Sequence, residues 1–284
     1  MTIETAQIAK QLIKDVETNK LIVPSLPEVI TRIKAAINDQ KRGTQQIARL
    51  IQLDPGLTAR LIQIANSAGH RGNFPIDTCQ MAITRLGLRT TRNLVTALVM
   101  HNVFKSDSPK LHKRIRELWK HSCRVAAIAF VLARVNKNGL DPDKALLAGL
   151  VHDIGVLPIL HYAAGYPEIL ADEARLNTLI YDLKGKLGRY ILEKWDFGAD
   201  LLSVPERAED WLYSQGENID YVDIVIIARI HSQLGTENKA GVPVLTEIPA
   251  FRKMSIATLG PGASIELLHE AQGEIQTLVK MLLT

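Results

Sequence analysis

The stretch from Glu117 to Leu160 constrains this chain more than any other. Leu118, Val125, Ile128, Ala129, Leu132 and Val135 recur at spacings of three, four and seven, the signature of a buried helix face. After a break at NKNGLD, a second helix has its own start signal. Asp141 is placed to cap it, Pro142 suits the first helical position and Asp143 favours the positive helix end. Leu146, Leu147, Leu150 and Val151 give it an apolar face, and Gly155 is placed to stop it. Each helix carries a histidine: His121 in the first, and His152 at the end of the second, followed at once by Asp153. A buried imidazole or carboxylate is costly unless paired or bound to a cation. Both are also groups that divalent metals take as ligands. Two antiparallel helices joined by the six residues of NKNGLD are expected to bring His121, His152 and Asp153 to one point.

The surrounding chain reads as all-α. Apolar residues make up 46% of the 284 but aromatics only 5%, so the core is aliphatic, and the alternation of a strand is nearly absent. The length allows one large domain or two small ones. Two cysteines, Cys79 and Cys123, form no disulfide framework and no CxxC pair, which points to a reducing compartment; Cys123 reads as a buried thiol. The N-terminus carries charge throughout and resembles no signal peptide. No run is read as approaching the ~20 apolar residues of a membrane span, so the expectation is a cytoplasmic protein with no membrane partner. The net charge of +4 is uneven. Residues 1–120 hold 19 Lys and Arg against 9 Asp and Glu, and residues 121–284 hold 15 against 21. Such asymmetry fits nucleic-acid binding, a homodimer or a docking partner. The scatter of the basic residues over several helices weighs against nucleic acid.

In chain order, a helix is expected over residues 2–19, then one opened by Pro27, one capped by Thr44, and one started by Asp54-Pro55. The last two form a short pair like a helix-turn-helix. Its second helix offers only Thr58, Arg60 and Gln63 as readers, so a packing unit is the preferred reading. Asp77 or Thr78 caps a helix that Gly87 ends, and the next runs from Leu88 to Phe104. Arg85, Arg89 and Arg92, spaced by four and three, are placed on one face; the stripe is either a phosphate-binding site for a nucleotide or nucleic acid, or a face that is solvated or pairs with local carboxylates. A helix beginning at Asn177 or Thr178 runs to Lys194, a strongly apolar one spans Asn218 to Leu234, and Ser264 caps the last.

His121, followed about thirty residues later by the words GLVHDIG, resembles the HD superfamily of metal-dependent phosphohydrolases. LIQLDPGLTARLIQIANSAG over 50–69 and AITRLG over 82–87 sharpen this to the HDOD family, a signalling branch related to HD-GYP domains, over about Pro24 to Leu234. The resemblance implies a multi-helix HD-like bundle with an N-terminal helical subdomain (1–108), an HD-like subdomain (109–235) carrying His121, His152 and Asp153, and a loop-rich segment with a final helix (236–284). It further implies bacterial signal transduction through a protein or ligand, usually with a decayed metal site. The further HD-GYP histidines correspond here to Lys184 and to Ala208-Glu209, and the last HD aspartate to Arg229 after Ala228. Asp223 is a poor substitute, about 240° round the helix. Arg229 is instead expected to pair with Asp153. The candidate ligands would hold one divalent ion (iron, manganese, zinc or nickel), or none. Three functions fit these features: a non-catalytic signalling module, a metal-dependent phosphohydrolase acting on a phosphoester or nucleotide, and, less well, a nucleic-acid regulator using the basic N-terminal half.

Overall fold

The computed structural model describes residues 10–15, 18, 24–39, 43–106, 108–136, 139–233, 243–255, 257 and 260–283, and every regular element among them is helical. The N-terminal helix expected over 2–19 is seen at 10–15; the remainder of that reading lies largely outside the described residues. The helices that follow are α1 (Glu28–Asn38), α2 (Thr44–Ile51), α3 (Pro55–Ala65), α4 (Cys79–Val99), α5 (Pro109–Val135), α6 (Pro142–Val151), α7 (Val156–Ala164), α8 (Pro167–Ala171), α9 (Glu173–Lys194), α10 (Ala199–Leu202), α11 (Val204–Arg207), α12 (Tyr221–Gln233), α13 (Pro249–Arg252), α14 (Pro261–Glu270) and α15 (Gln272–Leu283).

Local chemistry sets most of the boundaries. Asp54 accepts from Leu57 N at 2.9 Å with Pro55 at the first position of α3, and Thr78 accepts from Met81 N at the start of α4. Asp141 accepts from the backbone of Asp143 and Lys144 to start α6. Helix α9 begins earlier than its apolar pattern suggests, because Asp172 caps it by accepting from Arg175 N at 3.0 Å. Ser264 does not cap a helix. It lies buried within α14, its hydroxyl donating to Pro261 O, and the expected single C-terminal helix is divided at Ala271. Inside α4, Gly87 takes φ 77° and ψ 163°, a positive-φ conformation that glycine adopts without steric penalty, and the helix axis breaks there.

One buried apolar cluster runs from Leu12 to Leu282. Helices α5 and α6 are its centre. Helix α4 packs on α6, α12 on α5 and α6, and α15 on α5, so helices from both sides of residue 108 share this core. Cys79 and Cys123 are buried free thiols, as expected, and burial pushes Cys79 up to about 11. The stretch Pro142–Ala164 corrects one expectation. It is 23 residues long and holds an 18-residue window of mean hydropathy 1.5, enough to cross a membrane by length and composition. Yet 89% of that window is buried in the fold, and a turn at 152–155 divides it.

Candidate metal centre

The geometry of the centre starts with two glycines. A Cβ on Gly149 would sit 2.5 Å from Ala126 Cα and 2.7 Å from Ala126 N, so α6 meets α5 backbone to backbone. This contact brings His152, one residue beyond α6, against His121 on α5; the ring centroids lie 5.3 Å apart, edge to face. A Cβ on Gly155 would lie 1.9 Å from Lys184 O and 2.5 Å from Gly188 N. The turn after Asp153 is therefore pressed directly on α9, which delivers Lys184 to the carboxylate.

His121, His152 and Asp153 each offer a ligand atom, and these atoms all lie within 4.8 Å of one another. His152 Nδ1 lies 2.7 Å from Gly149 O, which can only accept, so Nδ1 carries a proton. Its Nε2 is buried without a hydrogen bond and lies 3.2 Å from Asp153 Oδ2. A lone pair and a carboxylate facing each other at that distance require a proton or a cation between them. His121 Nε2 faces the same oxygen at 4.0 Å. Burial foremost, and then the neighbouring His152, push His121 down to about 3 against the pull of Asp153, so its imidazole is neutral at pH 7. These donors fit one divalent ion.

The other oxygen of Asp153 is already taken. Lys184 Nζ donates to Asp153 Oδ1 at 2.8 Å and to Glu209 Oε1 at 2.6 Å. Arg229 donates to the same Glu209 oxygen at 2.5 Å and to Ala208 O at 2.9 Å, and its guanidinium lies 5.8 Å from the Trp211 ring centroid. The expected pair between Arg229 and Asp153 is thus replaced by a chain, Asp153–Lys184–Glu209–Arg229. Burial alone would raise the Asp153 carboxyl, but the neighbouring His152, the Lys184 ammonium and the Arg229 guanidinium outweigh it and hold the group well below its ordinary value. Asp223 is spent elsewhere: fully buried, it accepts from Lys253 at 3.0 and 3.2 Å.

The arginine stripe does not form. The break at Gly87 separates Arg85 from the other two. Arg85 donates to Ala65 O and Asn66 Oδ1, both at 3.2 Å, and to Phe74 O, clamping the loop before α4. Arg89, largely exposed, pairs with Asp141 at 3.3 Å. Arg92 lines a separate pocket with Lys34 and Lys144. That grouping spans α1, α4 and α6 and had no signal in sequence spacing.

Comparison with known proteins agrees with this architecture. The HDOD domain family matches residues 23–210. A curated relative from Treponema pallidum (strain Nichols), itself uncharacterised, is 24% identical over 186 residues; the match covers 61% of this chain and only 35% of that protein's length. A solved structure from Shewanella amazonensis SB2B, proposed to be a metal-dependent phosphohydrolase, is 29% identical, with a TM-score of 0.83 over 98% of this chain and all of that one. An HDOD domain protein of unknown function from Geobacter sulfurreducens (21% identical, TM-score 0.67, 98% and 99% covered) has the same fold. So does a proposed signal transduction protein from Marinobacter aquaeolei VT8 (19% identical, TM-score 0.62, 94% and 61% covered).

Proposed function

The chain belongs to the HDOD domain family, and from that premise we propose that it is a bacterial, cytoplasmic signalling module whose HD centre is held by side-chain cations and does not catalyse. The observation that carries this reading is the ammonium of Lys184 on Asp153. Its side chain is 11% exposed and that of Asp153 9%, so the carboxylate is neutralised inside the protein without a metal. Lys184, Glu209 and Arg229 occupy the positions where the family resemblance places further metal ligands, and two of the three are cations that repel a second dication. Beside this network lies an open groove of about 690 Å³. Trp211 and the strongly exposed Tyr181 and Leu212 line it, together with Lys184 and Arg207. Aromatic and arginine side chains of this kind suit output through contacts with a protein.

A second reading is favoured by the unbonded Nε2 of His152 and by the similarity to the Shewanella protein. Here His121, His152 and Asp153 hold one divalent ion, which when bound would supply Lewis-acid activation of water toward a phosphoester. In that case Lys184 orients Asp153 and tempers its charge, while Arg229 fixes Glu209.

Elemental analysis of purified protein never exposed to chelator, beside a His152→Ala/Asp153→Ala variant, separates the two. The signalling reading expects no stoichiometric metal in either. About one equivalent of iron, manganese, zinc or nickel in the parent and none in the variant would establish the metal site, and hydrolysis of a phosphoester by that protein would overturn the non-catalytic reading.

A further inference from the structure

We propose that a second pocket, formed between α1, α4, α6 and the turn before α10, binds the phosphate of a small phosphomonoester carrying an aromatic ring, such as a nucleoside monophosphate. The pocket encloses about 250 Å³ and is lined by Lys34, Arg92, Lys144, Asn93, Thr96 and Phe197, among others. None of these residues belongs to the His121, His152 and Asp153 cluster.

Three cations converge there from three helices. Lys34 is anchored, since its Nζ donates to Trp195 O and Asp196 O, both at 2.9 Å. That anchoring holds the turn that ends α9, where Asp196 takes φ 53° while its N–H donates to Glu193 O and that of Phe197 to Leu192 O, the usual αL stop of a helix. Burial foremost lowers Lys34; Asp196 opposes the shift and the neighbouring Arg92 adds to it. Two cations thus press on each other, and an anion between them relieves that repulsion. Arg92, half-buried, has no carboxylate partner among the described residues, although its guanidinium matches the geometry of a phosphate. Two carboxylates offset part of this charge: Asp196, itself on the lining, is 97% exposed and 3.8 Å from Lys34, and Asp200 pairs with Lys144, which leaves Arg92 as the cation without a carboxylate partner among the described residues.

Volume and lining give the rest of the ligand. The space corresponds to roughly eight waters at about 30 Å³ each, several times what a bare phosphate fills. The half-buried ring of Phe197 offers a face for stacking, and the buried amide of Asn93 lines the same wall. Lys144 and Leu147 stand on α6, whose end carries His152 and Asp153, so a ligand here would touch the helix that builds the HD centre.

The test is calorimetric titration of the full chain with inorganic phosphate, AMP and adenosine. AMP is expected to bind more tightly than phosphate and adenosine not to bind. Arg92→Gln is expected to weaken AMP about tenfold or more, the loss of charge-assisted hydrogen bonds to the phosphate. Arg92 has no structural partner to abandon, so the variant should keep its thermal midpoint. Arg89→Gln, outside the pocket, should keep the parent affinity. No binding of AMP at about 10 mM, phosphate bound with AMP excluded, or equal losses in Arg92→Gln and Arg89→Gln would each overturn the assignment.

Discussion

Replacing Lys184 with Met tests whether the ion chain holds the centre together. Met keeps most of the apolar stem and removes the ammonium that lies 2.8 Å from Asp153 and 2.6 Å from Glu209. Glu209 is 32% exposed and retains Arg229, so its loss is small. Asp153, 9% exposed, is left as a buried anion without its hydrogen-bonded cation. Breaking such a buried pair costs about 3–5 kcal/mol, and the remaining pull of Arg229 and His152 on Asp153 points to the lower end, about 3 kcal/mol. With an unfolding entropy of about 2.1 cal/mol/K per residue, on the order of 0.6 kcal/mol/K for this chain, the thermal midpoint should fall by about 5 °C. The assay is thermal and urea unfolding in chelator, so that no dication replaces the ammonium. In an Asp153→Asn background the buried anion is gone, and the same substitution should cost under about 1 kcal/mol. Equal losses in the two backgrounds, or a loss below about 1 kcal/mol in the parent, would refute the view that Lys184 neutralises Asp153.

Gly155→Ala should lower stability by at least about 3 kcal/mol, read by urea unfolding, because its Cβ meets the backbone of α9 and no flexible side chain can yield. Arg85→Ala should cost about 2 kcal/mol and raise hydrogen exchange or proteolysis in the loop over 70–77, with the metal content unchanged, since its bonds go to Ala65, Asn66 and Phe74. His231, 8% exposed, is lowered to about 4 by burial, so its native form is neutral. The unfolded chain takes up a proton near pH 6.5 and the native one only near 4, so its contribution to stability is full above 6.5 and falls as pH drops through that window. Between pH 7 and 5 this amounts to about 2 kcal/mol, and His231→Leu should lose correspondingly less stability over that range than the parent in urea titrations at the two pH values.

The sequence by itself determined the helical class, several helix starts and the three candidate donors. Each of those signals is local: Asp54-Pro55, Thr78 and Asp141-Pro142 act within one turn, and the HD words sit on two helices joined by six residues. The family resemblance further implied that Lys184 and Ala208-Glu209 stand where related domains carry histidine, and Arg229 where they carry aspartate. What Lys184, Glu209 and Arg229 do with one another was decided only in three dimensions, because they come from α9, the turn after α11, and α12, and sequence spacing says nothing about which carboxylate a long side chain reaches. The same holds for the arginines. Spacing placed Arg85, Arg89 and Arg92 on one face, and a single positive φ at Gly87 sent Arg85 to a loop and left Arg92 to meet Lys34 and Lys144. Gly149 drew no notice in the sequence and Gly155 read only as a helix stop; the backbone of a neighbouring helix, 2.5 Å or less from where a Cβ would be, reveals why no larger residue can stand at either position.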